Sequence, residues 1–137
     1  MRRKAFRVGV IAAPLAAALA LASPASAKSS TGFADDFFPR CDANVTVADD
    51  LVGSVGKIDA YGGFFCETGR EFSGTMTLQL FKNGAKVSEA KKGVNGNGDS
   101  LGITVSNPVN PQDWRAKLTI FRPGFSSTII DTGTIRS

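Results

Sequence analysis

In this chain of 137 residues, 16 basic side chains outnumber 12 acidic ones, and histidine is absent. The excess charge is confined to residues 1–27, which hold four basic residues and no acid, so the following 110 residues are formally neutral. That balance removes the electrostatic argument for binding nucleic acid or an anionic membrane, and the missing histidine removes Ser-His and Cys-His acyl transfer and His-ligated metals.

Residues 1–27 read as a secretory signal peptide. Arg2, Arg3, Lys4 and Arg7 form its basic start, and an Ala/Leu/Val-rich stretch interrupted by Pro14 follows. The segment ends in Ala25-Ser26-Ala27, the small-x-small pattern that a signal peptidase accepts. No charged stop-transfer flank follows, and the first cysteine is Cys41, so neither a retained span nor a lipobox is indicated. Cleavage after Ala27 predicts a secreted, extracellular protein with no membrane attachment.

Residues 28–40 read as an N-terminal arm. It starts polar, then carries Phe33, Phe37 and Phe38 around Asp35-Asp36 and ends at Pro39. Cys41 and Cys66 are the two cysteines, and an oxidising compartment predicts one disulfide between them.

From Asn44 onward the pattern is β. Val45 and Val47 alternate with polar neighbours, and Asp49-Asp50 ends that strand. Ile58 and Ala60 mark a second strand, Gly62-Gly63 permits a bulge or bend, and Phe64-Phe65-Cys66 follows. The strongest local signal is a hairpin. Met76, Leu78 and Leu80 share one face, and Asn83-Gly84 suits a type I′ turn. Pairing Lys82 with Ala85 sets Glu89 beside Leu78, so the return strand is expected to end or bulge near Ser88. Residues 91–100 read as a polar Gly/Asn loop, and Lys82, Lys86, Lys91 and Lys92 as solvated hairpin lysines. Leu101, Ile103 and Val105 mark another strand. Pro108 and Pro111 hold a loop open before the regular alternation of Trp114, Ala116, Leu118 and Ile120. Pro123-Gly124 ends that strand, residues 125–130 supply one more, and Ile135 sits in a final short stretch.

Six to eight short strands without a helical period predict an all-β fold, a small antiparallel β-sandwich of residues 41–137 with one disulfide, with an open barrel as the alternative. An immunoglobulin-like topology fits this strand count. The expected core is Val45, Val47, Met76, Leu78, Leu80, Ile103, Val105, Trp114, Leu118 and Ile120.

The chemistry is sparse. Gly53-Ser54-Val55-Gly56 lacks the Gly-x-Ser-x-Gly spacing of a nucleophile elbow. The acids Asp35, Asp36, Asp49, Asp50, Glu67, Glu71 and Asp113 read as solvated turn or surface groups. Asp49, Asp50 and Asp99 supply calcium-type oxygens, yet the reading is no metal, no cofactor and no enzyme. Recognition remains. The expected partner surface is Phe33, Asp35, Asp36, Phe37 and Phe38, with the arm either capping the sandwich or docking in another secreted or cell-surface protein. Pro108, Asn110, Pro111, Arg115, Lys117 and Phe121 are secondary contact candidates. A carbohydrate-binding module and a secreted inhibitor or toxin acting through a surface loop are the alternatives.

The layout of signal peptide, N-terminal arm, one disulfide and small all-β body resembles the secreted adaptor subunits of bacterial umbrella toxin particles. The resemblance spans most of residues 28–137 and rests on layout and size, so no family residue maps onto this chain. It implies an adaptor that joins a lectin-like subunit to a large scaffold protein, partly through its N-terminal segment.

Overall fold

The computed structural model describes residues 28–51, 53 and 55–137; the signal-peptide reading of residues 1–27 lies outside them. Among the described residues nine strands follow in order: β1 (Ser29–Phe38), β2 (Cys41–Asp49), β3 (Lys57–Cys66), β4 (Phe72–Lys82), β5 (Ala85–Gly96), β6 (Gly98–Ser106), β7 (Asp113–Phe121), β8 (Thr128–Asp131) and β9 (Ile135–Arg136). They form two antiparallel sheets, β1-β2-β3-β6 and β5-β4-β7-β8, with β9 also paired to β7. After the β4–β5 hairpin the chain returns to lie beside β3, then crosses again to lie beside β4.

The alternations predicted for β4 and β7 put Met76, Leu78, Leu80, Trp114, Leu118 and Ile120 between the sheets, facing Val45, Val47, Ile58 and Ile103. Every residue of the expected core is buried except Val105, which packs half-buried at its margin. Asn83 and Gly84 take φ of 52° and 84°, the left-handed pair that the hairpin turn requires. The mismatch between Leu78 and Glu89 is resolved by a register shift between Leu80 and Phe81, after which Glu89 faces Gln79. Cys41 and Cys66 are bonded, and they sit opposite each other on adjacent strands of one sheet rather than across the two sheets.

Three expectations are corrected. Residues 28–40 are not an arm outside the domain: β1 pairs with β2 from Ser29 opposite Ala48 to Ala34 opposite Ala43. Its strand pattern is hidden in sequence because the residues paired with inward-facing Val47, Val45 and Ala43 are small: Ser30, Gly32 and Ala34. The sandwich therefore begins at Ser29, and removing residues 28–38 would strip an edge strand. Residues 91–100 are likewise not a loop. β5 continues to Gly96 and β6 starts at Gly98, so the chain changes sheet across Asn97, whose carbonyl accepts the Cys66 N–H at 2.8 Å. Gly62-Gly63 makes no bulge, because the β2–β3 and β3–β6 registers run through it unbroken. The pair is a place of close approach instead. A Cβ on Gly63 would collide with the Asp99 carbonyl oxygen, and one on Gly62 would lie 3.2 Å from Leu118 Cδ2.

The sandwich is closed along both sides. On one, the β5–β6 continuity joins the sheets. On the other, Gly32 brings β1 against the Asp131 carbonyl, and the Gly133 N–H donates to Ser30 Oγ at 2.8 Å.

Candidate ligand groove

Three turns meet at one end of the sandwich. The first follows β1, where Asp35-Asp36 forms a bulge and pairing resumes only at Phe38 opposite Cys41. Asp36 takes φ of 50°, its N–H donates to Asp42 Oδ1 at 2.9 Å, and its own carboxylate accepts the Arg40 N–H at 3.2 Å. Both following phenylalanines thereby turn toward the end of the core. Phe37 meets Phe64 and Phe72 edge-on at 6.2 and 5.2 Å, and Phe38 meets Phe72 at 5.3 Å. Pro39 and left-handed Arg40 (φ 62°) then turn the chain into β2.

The second turn joins β3 to β4. The Arg70 N–H donates to the Glu67 carbonyl at 2.9 Å across Gly69, whose φ is 82°. The third joins β7 to β8. Pro123 and Gly124 (φ 84°) occupy its centre, and the Phe125 N–H donates to the Arg122 carbonyl at 3.0 Å. Proline followed by a left-handed glycine is the type II pattern, and it sets Arg122 beside Phe125.

The disulfide lies directly beneath the first two turns. Cys41 opens β2 one residue after Arg40, and Cys66 closes β3 one residue before Glu67. The Glu67 N–H donates to the Arg40 carbonyl at 2.9 Å, and Arg70 Nε donates to the Pro39 carbonyl at 3.0 Å.

Between the turns opens a groove of about 770 Å³, lined by Phe37, Phe38, Pro39, Arg70, Phe72, Ile120, Arg122, Phe125, Ser126, Ser127 and Thr128. Phe38 is its centre: the Arg70 and Arg122 guanidinium carbons lie 4.6 and 4.8 Å from its ring centroid. Arg122 also covers Phe125 at 4.1 Å. Each contact has cation–π geometry. Among the described residues neither guanidinium is ion-paired, and the lining contains no carboxylate. The groove is therefore aromatic, cationic and open, with hydroxyls along one wall.

No family model, curated protein or solved structure matches this chain. Its function is read from the site alone.

The sequence-predicted contact residues separate. Phe37 and Phe38 enter the groove. Phe33, 42% exposed, sits opposite Asn44 further along β1, while Asp35 and Asp36 shape the bulge. Arg115 and Lys117 gather elsewhere, over Phe81 at 4.7 and 5.5 Å on β4, and Arg115 is paired with Asp131 at 2.7 Å. Phe121 stands exposed at the end of β7. Pro108, Asn110 and Pro111 are exposed in the β6–β7 loop, whose base is tied by the Asn107 N–H to the Gly56 carbonyl at 3.0 Å. Among the described residues no group of three metal-ligating side chains forms.

Arg70, Phe72, Arg122 and Phe125 are the site residues that sequence reading missed. The signal was present in Gly69-Arg70 and Arg122-Pro123-Gly124-Phe125, turns that carry a guanidinium at their edge.

Proposed function

We propose that this protein is an exported, non-enzymatic interaction module that docks an acidic segment of another secreted protein in the groove over Phe38. The observation that carries the reading is the pair of guanidiniums laid over one aromatic ring, neither of them ion-paired among the described residues. Aromatic and arginine side chains dominate binding hot spots, and an arginine fork matches a carboxylate in two parallel hydrogen bonds. An acidic occupant supplies the negative charge that the lining lacks, while the phenylalanines take its apolar side chains. Placement on three short turns, two of them clamped by the disulfide, preorganises these groups and lowers the ordering cost of binding.

A sugar platform has less support, since Trp114 is 1% exposed and belongs to the core. The adaptor role implied by the umbrella-particle resemblance fits the same reading, as a module joining two secreted proteins. Here the proposed contact is the groove rather than a free N-terminal segment.

The test uses the secreted protein as bait in culture supernatant, beside Arg122→Ala and Phe38→Ala forms of it. Recovery of a partner through an acidic segment, weakened by salt and by either substitution, supports the reading. Equal recovery by all three forms would overturn it.

A further inference from the structure

Lys28 and Asp49 face each other where β1 begins and β2 ends. The Asp49 N–H donates to the Lys28 carbonyl at 2.9 Å, and the Lys28 backbone nitrogen donates to Asp49 Oδ1 at 2.5 Å. Asp49 is 1% exposed, whereas Lys28 lies at the surface with its Nζ 2.6 Å from the Arg136 carbonyl. A buried carboxylate is costly unless it is hydrogen-bonded and paired with opposite charge. The group placed against this one is a backbone nitrogen, and it belongs to the residue that follows the Ala25-Ser26-Ala27 cleavage signal.

We propose that export processing completes a latch: cleavage after Ala27 turns the Lys28 nitrogen into an α-ammonium that pairs with the buried Asp49 carboxylate and pins the start of β1. The inference shares the export reading but is independent of the groove, which lies at the far end of β1. Hydrolysis by the signal peptidase adds one water across the Ala27–Lys28 bond. Ala27 keeps an oxygen as its carboxylate, and the Lys28 nitrogen gains a proton and, near neutral pH, a second one. No strand moves. A neutral N–H donor to the carboxylate becomes a cationic one in place, so a hydrogen bond becomes an ion pair, the capture of an N-terminal amine by the fold's own side chain. The consequence is a division between precursor and product: the processed chain holds its first edge strand more firmly than the chain still joined to its leader.

The test compares chains beginning at Lys28 and at Ala27, both retaining every strand, each with Asp49 or with Asp49→Asn. The Lys28 chain is expected to melt about 5 °C above the Ala27 chain, and Asp49→Asn is expected to shrink that gap to about 1 °C. Equal melting of the first pair, or a gap that survives Asp49→Asn, would overturn the latch. Should the Asp49→Asn chains fail to fold, acylation of the α-amine decides. The folded Lys28 chain is expected to react at least about tenfold more slowly than when unfolded, the factor for one pKa unit, and equal rates would overturn the proposal. N-terminal sequencing of the exported protein should begin at Lys28. Any other first residue removes the trigger and overturns the assignment, whatever the groove binds.

Discussion

Arg122 lies over Phe38 with its guanidinium carbon 4.8 Å from the ring centroid, although the two residues belong to turns on opposite sheets. The stack is positioned by backbone: a bulge delivers Phe38, and the Pro123-Gly124 turn delivers Arg122. Arg122→Ala should leave melting within about 3 °C of the parent, as for a surface change worth about 0.5 kcal/mol. It should weaken partner binding at least tenfold, about 1.4 kcal/mol, as measured by calorimetry with the recovered partner.

The disulfide stabilises the fold and also braces the groove. Replacing both Cys41 and Cys66 with serine opens a loop of sequence separation 25 and should cost roughly 3–4 kcal/mol on the chain-entropy account. Because the bond underlies the Arg40–Glu67 and Pro39–Arg70 contacts, binding should fall further than the loss of folded protein explains. Denaturant midpoints beside affinities measured on the folded fraction would show this.

Leu118 is wholly buried, pairs with Leu78 and fills the space that a side chain at position 62 would enter. Leu118→Ala should cost about 2–5 kcal/mol, a large part of a small domain's stability. Phe121→Ala, at a 44% exposed position on the same strand, should cost far less. Urea unfolding of the two variants tests the assignment of faces on β7.

Tyr61 is the chain's one tyrosine, so its titration is read without ambiguity. Burial holds its phenol above the ordinary 10.0; a Thr46 hydrogen bond pulls it down, and the Asp59 carboxylate adds to the rise. The folded state keeps the phenolic proton longer than the unfolded chain does. This contribution to stability is therefore full below pH 10 and is lost as pH climbs through the folded-state value. Tyrosinate absorbance should show a midpoint above 10.0 in the native protein and an ordinary one in denaturant.

The regular half of the fold was legible because β4 and β7 have one wet face and one buried face, and period-two alternation records that difference directly. β1 escaped because Ser30, Gly32 and Ala34 fill a narrow space against β8 and carry no hydrophobic signal. The Gly/Asn stretch around Asn97 escaped because β5 is an edge strand. Its lysines point to water, and Val94 is its one buried residue. In the groove, Phe37 and Phe38 stood out as aromatics among acids, the reason they were expected at a contact surface. Arg70 and Arg122 join them only through turns that close from both sheets, a meeting that no local pattern encodes.

The most direct test of the groove is site-specific photo-crosslinking in the protein. A photoreactive residue replaces either Phe125, at the groove's mouth, or Val109, fully exposed on the β6–β7 loop. Position 125 is expected to crosslink to an acidic segment of a secreted partner, and the product should disappear when Arg122→Ala is added. Crosslinking from position 109 with none from 125, or a position 125 product indifferent to Arg122, would contradict the account.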